Sequence, residues 1–417
     1  MEGLFVLGGK SLHGEITING AKNAVLPILA ATVLHGGTYV LDHCPDIADV
    51  RLACEIVTYL GGSVTRQGKT LTVRTESVHS WQIPSSLMEK MRASVLFLGP
   101  LLARFGRAVL TMPGGCPLGQ RPIDLHLRAL AQMGAAISFS GNQIICEAPR
   151  LKGCALDLPF PSVGATENIL LAAMGTDGTV SLRGAAREPE IGDLMDFLRA
   201  MGGSLAGDGT GCLQMEGSRP LHDARYTILP DRIETATYLC AAAACGGDVC
   251  LHRAVASHLL PVVESLEQAG CRIARTEDGV RIWSDGHLRA VGSVETAPYP
   301  GFPTDAQAIL AAAMLRAEGT TVITEHIFSS RMGHVAQLRR FGAQIEADEK
   351  TAVIRGVRQL HPALVQGCDL RATAALVVAA LQVPGESCIT GLKHLHRGYD
   401  SFEEQFKTLG ACLRQTQ

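Results

Sequence analysis

Cys116 stands in the segment Pro113-Gly114-Gly115-Cys116-Pro117-Leu118-Gly119-Gln120-Arg121. Three glycines and two prolines in nine residues exclude a helix or strand interior and make this a loop. A thiol flanked by glycines and followed by an arginine is poised for chemistry, because a nearby cation favours thiolate and raises reactivity. Glycines on both sides let such a loop move, as loops do when they close over a substrate. The bland alternative is a cysteine that a loop merely tolerates. A second set of polar residues occupies equivalent places at predicted helix starts: Lys22, Asn23, Arg92, Glu234, Asp305, Asp369 and Arg371. An Asp there is ordinarily an N-cap. Lys22, Arg92 and Arg371 differ, since a cation at a helix start opposes the macrodipole and points to a negative group opposite.

The elements that position these residues form an internal repeat. Gly61, Gly134, Gly202, Gly270, Gly342 and Gly410 recur 68 to 73 residues apart, a regularity that marks repeated units. Each follows a predicted helix and precedes a strand, as in Ala200-Met201-Gly202-Gly203-Ser204-Leu205, so each reads as a C′ cap. Upstream, each unit carries an alanine-rich helix after a polar turn, then a β-branched strand such as Gly319-Thr320-Thr321-Val322-Ile323. A unit therefore reads strand, helix, strand, helix, then two strands around a turn. Three units per half give two similar α/β domains, which suits a chain of 417 residues.

Composition narrows the function. Hydrophobic residues make up 47% and charged residues 18%, as in a compact globular protein. A net charge of −3 gives no global pull toward nucleic acid or anionic membrane, so an anionic ligand needs a local cationic pocket. The start, Met1 to Val6, lacks the basic and apolar regions of a secretory leader, which points to the cytoplasm. The apolar run Val25 to Leu34 contains a proline and is too short to span a bilayer. Thirteen cysteines without CxxC pairs indicate neither a zinc site nor a disulfide framework. Cys240, Cys245 and Cys250 read as reduced, buried small hydrophobes. Gly9-Lys10-Ser11 and Gly68-Lys69-Thr70 lack the upstream glycine of a P-loop, and Gly207-Asp208-Gly209-Thr210-Gly211 reads as a hairpin turn.

The ordered motifs of the chain resemble those of the enolpyruvyl transferases. They are Asn19-Gly20-Ala21-Lys22-Asn23-Ala24, Met91-Arg92-Ala93-Ser94, Pro113-Gly114-Gly115-Cys116 and Arg121-Pro122-Ile123-Asp124-Leu125-His126. Further on come Ser162-Val163-Gly164-Ala165-Thr166-Glu167-Asn168, Arg187-Glu188-Pro189-Glu190-Ile191 and Pro230-Asp231-Arg232-Ile233-Glu234-Thr235. The last are Pro300-Gly301-Phe302-Pro303-Thr304-Asp305, Asp369-Leu370-Arg371-Ala372 and His396-Arg397-Gly398-Tyr399-Asp400. The resemblance implies a two-domain inside-out α/β barrel built from six βαβαββ repeats, three per domain. Residues 22–229, with the Cys116 loop, would form one domain, and residues 1–21 plus 230–417 the other, with substrates in the cleft between them.

The branch resembled implies transfer of the enolpyruvyl group of phosphoenolpyruvate to the 3′-hydroxyl of UDP-N-acetylglucosamine, the first committed step of peptidoglycan synthesis. No metal or other cofactor is implied. By resemblance, Lys22, Arg121 and Arg397 grip phosphoenolpyruvate, Cys116 delivers a proton, and Asp305 orients or deprotonates the hydroxyl. Asn23 holds the hydroxyl and the intermediate. Arg92, the segment Arg121, Pro122, Ile123, Asp124 and Leu125, then Ser162, Val163, Gly164 and Ile327 line the nucleotide-sugar site. Asp369 and Arg371 stand as supporting charges, and for Arg371 a structural ion pair is the equal alternative. For Asp305 the alternative is an N-cap after Pro303-Thr304. Departures from the family pattern fall at Pro117, Gln120, Phe160, Ala236 and Ser329-Ser330-Arg331-Met332-Gly333-His334. The sister activity on shikimate 3-phosphate lacks the cysteine loop. A silent binder of nucleotide sugar would not need the full set of charged residues present.

Overall fold

The computed structural model describes residues 3–112 and 123–416, so Cys116, Arg121 and Pro122 lie outside the described residues. The chain divides into two compact units, residues 3–19 with 230–416 and residues 20–112 with 123–229. Gly20 and Ala21 go with the latter, where the Ala21 N–H donates to the Leu229 carbonyl at 2.8 Å. Each unit has its own apolar core.

Among the described residues there are six four-stranded sheets of one topology. In one, Ser293–Glu295 runs parallel to Thr320–Thr324, which pairs antiparallel with Thr351–Arg355, and that strand with Gln344–Ala347. The other five repeat this order, three sheets to a unit. All six anchor glycines have φ between 86° and 108°, the left-handed region in which glycine ends a helix without strain. The turn at Gly207 to Gly211 joins the antiparallel strands Ser204–Ala206 and Cys212–Glu216, as its sequence predicts.

One feature of the connections escapes the repeat pattern. Leu12–Thr17 leads the sheet of Gly247–His252 in its own unit, although the next helix in the chain, Lys22–Ala31, belongs to the other. Ala224–Thr227 does the converse, pairing with Thr38–Asp42 before the chain enters Arg232–Cys245. Each of these strands completes a sheet of its own unit just before the chain crosses to the other.

The alanine-rich helices lie inside and the sheets outside. Arg232–Cys245, Thr304–Ala313 and Leu370–Leu381 pack on one another and are buried along nearly their whole length. A helix apolar on every side can only be a core element, and alanine lets such helices approach closely. The sheets cover this core with alternating strands, as in Thr351–Arg355, where Ala352 and Ile354 are buried. No helix among the described residues is long and apolar enough to cross a membrane.

Glu167, inside the buried helix Val163–Ala173, carries a testable consequence. Burial, then the charges of Glu190 and Glu188, raise its carboxyl well above the usual range. The folded state thus holds this proton more tightly than the unfolded chain, and the stabilisation present below the unfolded pKa fades as pH rises. Glu167→Gln should match the parent in melting temperature near about pH 4 and exceed it at about pH 8. A gap independent of pH in thermal melts would contradict this.

Candidate active site

In the unit holding residues 230–416, the inner helices bring their N-terminal residues together. Asp231 caps Arg232–Cys245, accepting from the N–H groups of Ile233 and Glu234 at 2.8 and 3.0 Å. Asp369 caps Leu370–Leu381 in the same way, with the N–H groups of Arg371 and Ala372 both at 2.9 Å. Asp305 is not a cap. Pro303 holds the N-cap place of Thr304–Ala313, which leaves the Asp305 carboxylate to other partners. Arg331 Nη2 donates to its Oδ1 at 2.7 Å, while Arg371 Nε and Nη2 donate to its Oδ2 at 3.2 and 3.1 Å. Both arginine side chains are only 4% exposed, so this is a largely dry clamp around one carboxylate. The negative group opposite Arg371 is therefore Asp305, and of the two readings of this arginine the ion pair is present.

Arg371 also lies over the Tyr399 ring, 5.3 Å from its centre, and the Tyr399 hydroxyl hydrogen-bonds Thr237 Oγ1 at 2.7 Å. Burial opposes the guanidinium's charge, but Tyr399, Asp305 and Asp231 outweigh it and raise its pKa. Half-buried Arg397 ends the short turn Leu392–Arg397, which packs against the helix of Arg371.

Glu325 organises the segment that supplies Arg331. It is fully buried, and its Oε1 accepts from Thr296 Oγ1 and from the N–H groups of Ile327 and Phe328 at 2.9, 2.7 and 3.1 Å. Its Oε2 accepts from Thr304 Oγ1 at 2.8 Å, beside Asp305. Ile327 is thus pinned by its backbone, and Asp305 and Arg331 share one support. Sequence reasoning passed over Arg331 and Glu325. The available signals were an arginine kept inside the divergent Ser329–His334 segment and an acid directly after a β-branched strand.

The other unit carries a second group. Lys22, the first residue of Lys22–Ala31, places Nζ 2.6 Å from Asp49 Oδ2, with the side chains 12% and 5% exposed. Asp49, in the first turn of Ala48–Tyr59, is the negative group opposite Lys22, and it too was missed. Asn23 follows Lys22, half-buried. Arg92 opens the helical turn Arg92–Phe97 and bears electrostatically on His126. His126 is buried, and Asn168 Nδ2 donates to its Nδ1 at 2.8 Å, which assigns the ring proton to Nε2. Burial, then Arg92, push its pKa down to about 4.

Asp124 and Leu125 open the helix Asp124–Gln132 after buried Ile123, and Asp124 pairs with Arg128 at 3.5 Å. Ser162 Oγ accepts from the Ala165 N–H at 3.3 Å and caps the helix that begins at Val163. A Cβ on Gly164 would sit 3.0 Å from His126 Cε1, so glycine permits this contact. Through His126 the fold brings together Arg92, the 123–125 segment and the 162–164 turn. Asp305, Ile327, Asp369, Arg371 and Arg397 belong to the other unit. Phe160 is exposed, and Ala236 is a buried helix residue.

Each unit thus presents cations and fixed carboxylates at the starts of buried helices, an arrangement suited to anions and to proton handling. The profile of the EPSP synthase family (3-phosphoshikimate 1-carboxyvinyltransferase) matches residues 6–406. The chain belongs to this family of enolpyruvyl transferases. It is 44% identical to UDP-N-acetylglucosamine 1-carboxyvinyltransferase 2 of Caldanaerobacter subterraneus, over 97% of both chains. It is 42% identical to the like-named protein 1 of Carboxydothermus hydrogenoformans, over 100% of this chain and 98% of that one. Among solved structures, the enolpyruvyl transferase NikO from Streptomyces tendae has a TM-score of 0.89 at 26% identity, covering 100% of this chain and 99% of its own. EPSP synthase from Acinetobacter baumannii has a TM-score of 0.75 at 21% identity, covering 100% of each, a likeness of fold. The inside-out α/β architecture is that of the family.

Proposed function

We propose that the protein transfers the enolpyruvyl group of phosphoenolpyruvate to the 3′-hydroxyl of UDP-N-acetylglucosamine, in the cytoplasm, as the first committed step of peptidoglycan synthesis. The observation that carries this reading is the 44% identity, over 97% of both chains, to a protein named for that activity. In the proposed reaction the hydroxyl oxygen bonds to C2 of phosphoenolpyruvate while a proton adds to C3, giving a tetrahedral ketal. Phosphate then leaves C2 as C3 gives up a proton, and the enol ether remains. The steps call for cations around phosphate and carboxylate, a proton donor at C3 and an acceptor for the hydroxyl proton.

Lys22, Arg121 and Arg397 bind phosphoenolpyruvate, the arginines by two-pronged contacts with its oxyanions. Cys116 donates the proton. Asp305, its carboxylate fixed by Arg331 and Arg371, orients or deprotonates the sugar hydroxyl. Asn23 steadies the intermediate, and Asp369 orders the helix turn that carries Arg371. Arg92, Ile123 to Leu125, Ser162 to Gly164, Ile327 and Pro122 form the nucleotide-sugar site.

Phosphate release by purified protein tests the reading, with UDP-N-acetylglucosamine or shikimate 3-phosphate as acceptor. Release that depends on the nucleotide sugar is expected. Release with shikimate 3-phosphate alone would move the assignment to the sister reaction, and release with neither would leave a silent binder.

Two variants test particular roles. Cys116→Asp should keep activity yet resist thiol-directed epoxides, because a carboxylic acid still donates a proton; an inactive Cys116→Asp beside a fully active Cys116→Ser would remove the acid role. Gly164→Ala drives a methyl group toward His126 and should raise KM for the nucleotide sugar about tenfold while sparing that for phosphoenolpyruvate. Equal changes in both KM values would detach Gly164 from the sugar site.

A further inference from the structure

We propose that Glu15, Cys250 and His252, none of which has a role assigned above, form a binding site for one borderline divalent cation of the zinc type. The strand register builds it. Cys250 and His252 alternate with Val249 and Leu251 on Gly247–His252, and since the latter two are fully buried in the core, the former two face the other side of the sheet. Glu15, on the neighbouring parallel strand Leu12–Thr17, is the registered partner of Cys250. The ligand atoms of all three residues lie within 4.8 Å of one another. Glu15 Oε2 is 3.0 Å from His252 Nε2, although the residues are 237 positions apart in sequence.

The donor set selects the metal class. A thiolate, an imidazole nitrogen and one carboxylate suit zinc-like ions and not calcium or magnesium, which take oxygen ligands. Three protein ligands leave a fourth tetrahedral position for water. A supporting shell is present as well: Asp278 Oδ2 lies 3.4 Å from His252 Nδ1, so it can orient the ring with Nε2 toward the metal. Arg281, the registered neighbour of Cys250 on the opposite strand, is occupied by Asp248, with bonds of 2.7 and 2.6 Å. Its charge is thereby balanced beside the thiol. On binding, the proton between His252 Nε2 and Glu15 leaves, to solvent from a doubly protonated ring or to Nδ1 beside Asp278 from a neutral one. Metal–nitrogen and metal–oxygen bonds replace that contact. The Cys250 sulfur exchanges its proton, released to solvent, for a metal–sulfur bond. Such an ion would tie Leu12–Thr17, the strand that precedes the crossing into the other unit, to the sheet it leads.

Cobalt(II) titration of the purified, reduced full chain tests the proposal. One equivalent should give a thiolate-to-cobalt charge-transfer band that zinc displaces. Cys250→Ser should abolish the band, and His252→Ala and Asp278→Asn should weaken cobalt binding by at least about tenfold. Enolpyruvyl transfer at the parent rate in all three variants would show that they fold, and zinc should raise the melting temperature of the parent but not of His252→Ala. Absence of the band at millimolar cobalt, or an undiminished band in Cys250→Ser, would overturn the site.

Discussion

Lys22→Ala is expected to lower kcat/KM for phosphoenolpyruvate by about 10²–10³-fold, the effect of removing one preorganised charge that faces developing negative charge. Binding of UDP-N-acetylglucosamine should change by no more than about threefold. The same substitution removes from the Asp49 carboxylate, whose side chain is 5% exposed, the cation 2.6 Å away. Breaking a buried pair on one side costs about 3–5 kcal/mol, so the variant should also melt earlier. The double variant Lys22→Met/Asp49→Leu separates the two effects. Replacing both charges by apolar groups of similar size is often nearly neutral for stability, so melting should recover while activity does not. Recovery of activity along with stability would make Lys22 a structural residue.

Asp305→Asn should lower kcat by about 10²–10⁴-fold with little change in KM for phosphoenolpyruvate, because the amide keeps the shape but not the acceptor charge. Two arginines with side chains 4% exposed lose their shared counter-charge, so stability to urea should fall as well. Kinetics normalised to folded protein distinguish a chemical role from a structural one. A parent kcat in a destabilised variant would leave Asp305 with only the structural part.

Much of the architecture could be read from local signals. The six anchor glycines declared the repeats because a helix that must end in a left-handed residue selects glycine each time. The alanine-rich helices declared themselves by composition, and burial along nearly their whole length makes them the core. Cations at helix starts correctly called for negative groups at Lys22 and Arg371. Their partners were another matter. Asp49 and Asp305 are identified only when elements far apart in sequence meet, and periodicity says which face is buried but not what it meets. Asp305 was ambiguous because an acid near a helix start is usually a cap; Pro303 holding that place settles it. Glu325 carried no signal beyond its place after a β-branched strand, yet it holds the turns on both sides of the clamp. Only the resemblance placed residues 1–21 with the later half of the chain; local signals do not say that Leu12–Thr17 completes a sheet whose other strands come more than two hundred residues later.

The most direct test of the account is to run the reaction in D₂O and examine the product by mass spectrometry and proton NMR. Addition followed by elimination passes through a methyl group at the former C3, so the account predicts an enolpyruvyl ether at the 3′-oxygen of UDP-N-acetylglucosamine with deuterium in its vinyl positions. A vinyl group free of deuterium, or no ether formed from the nucleotide sugar at all, would contradict it.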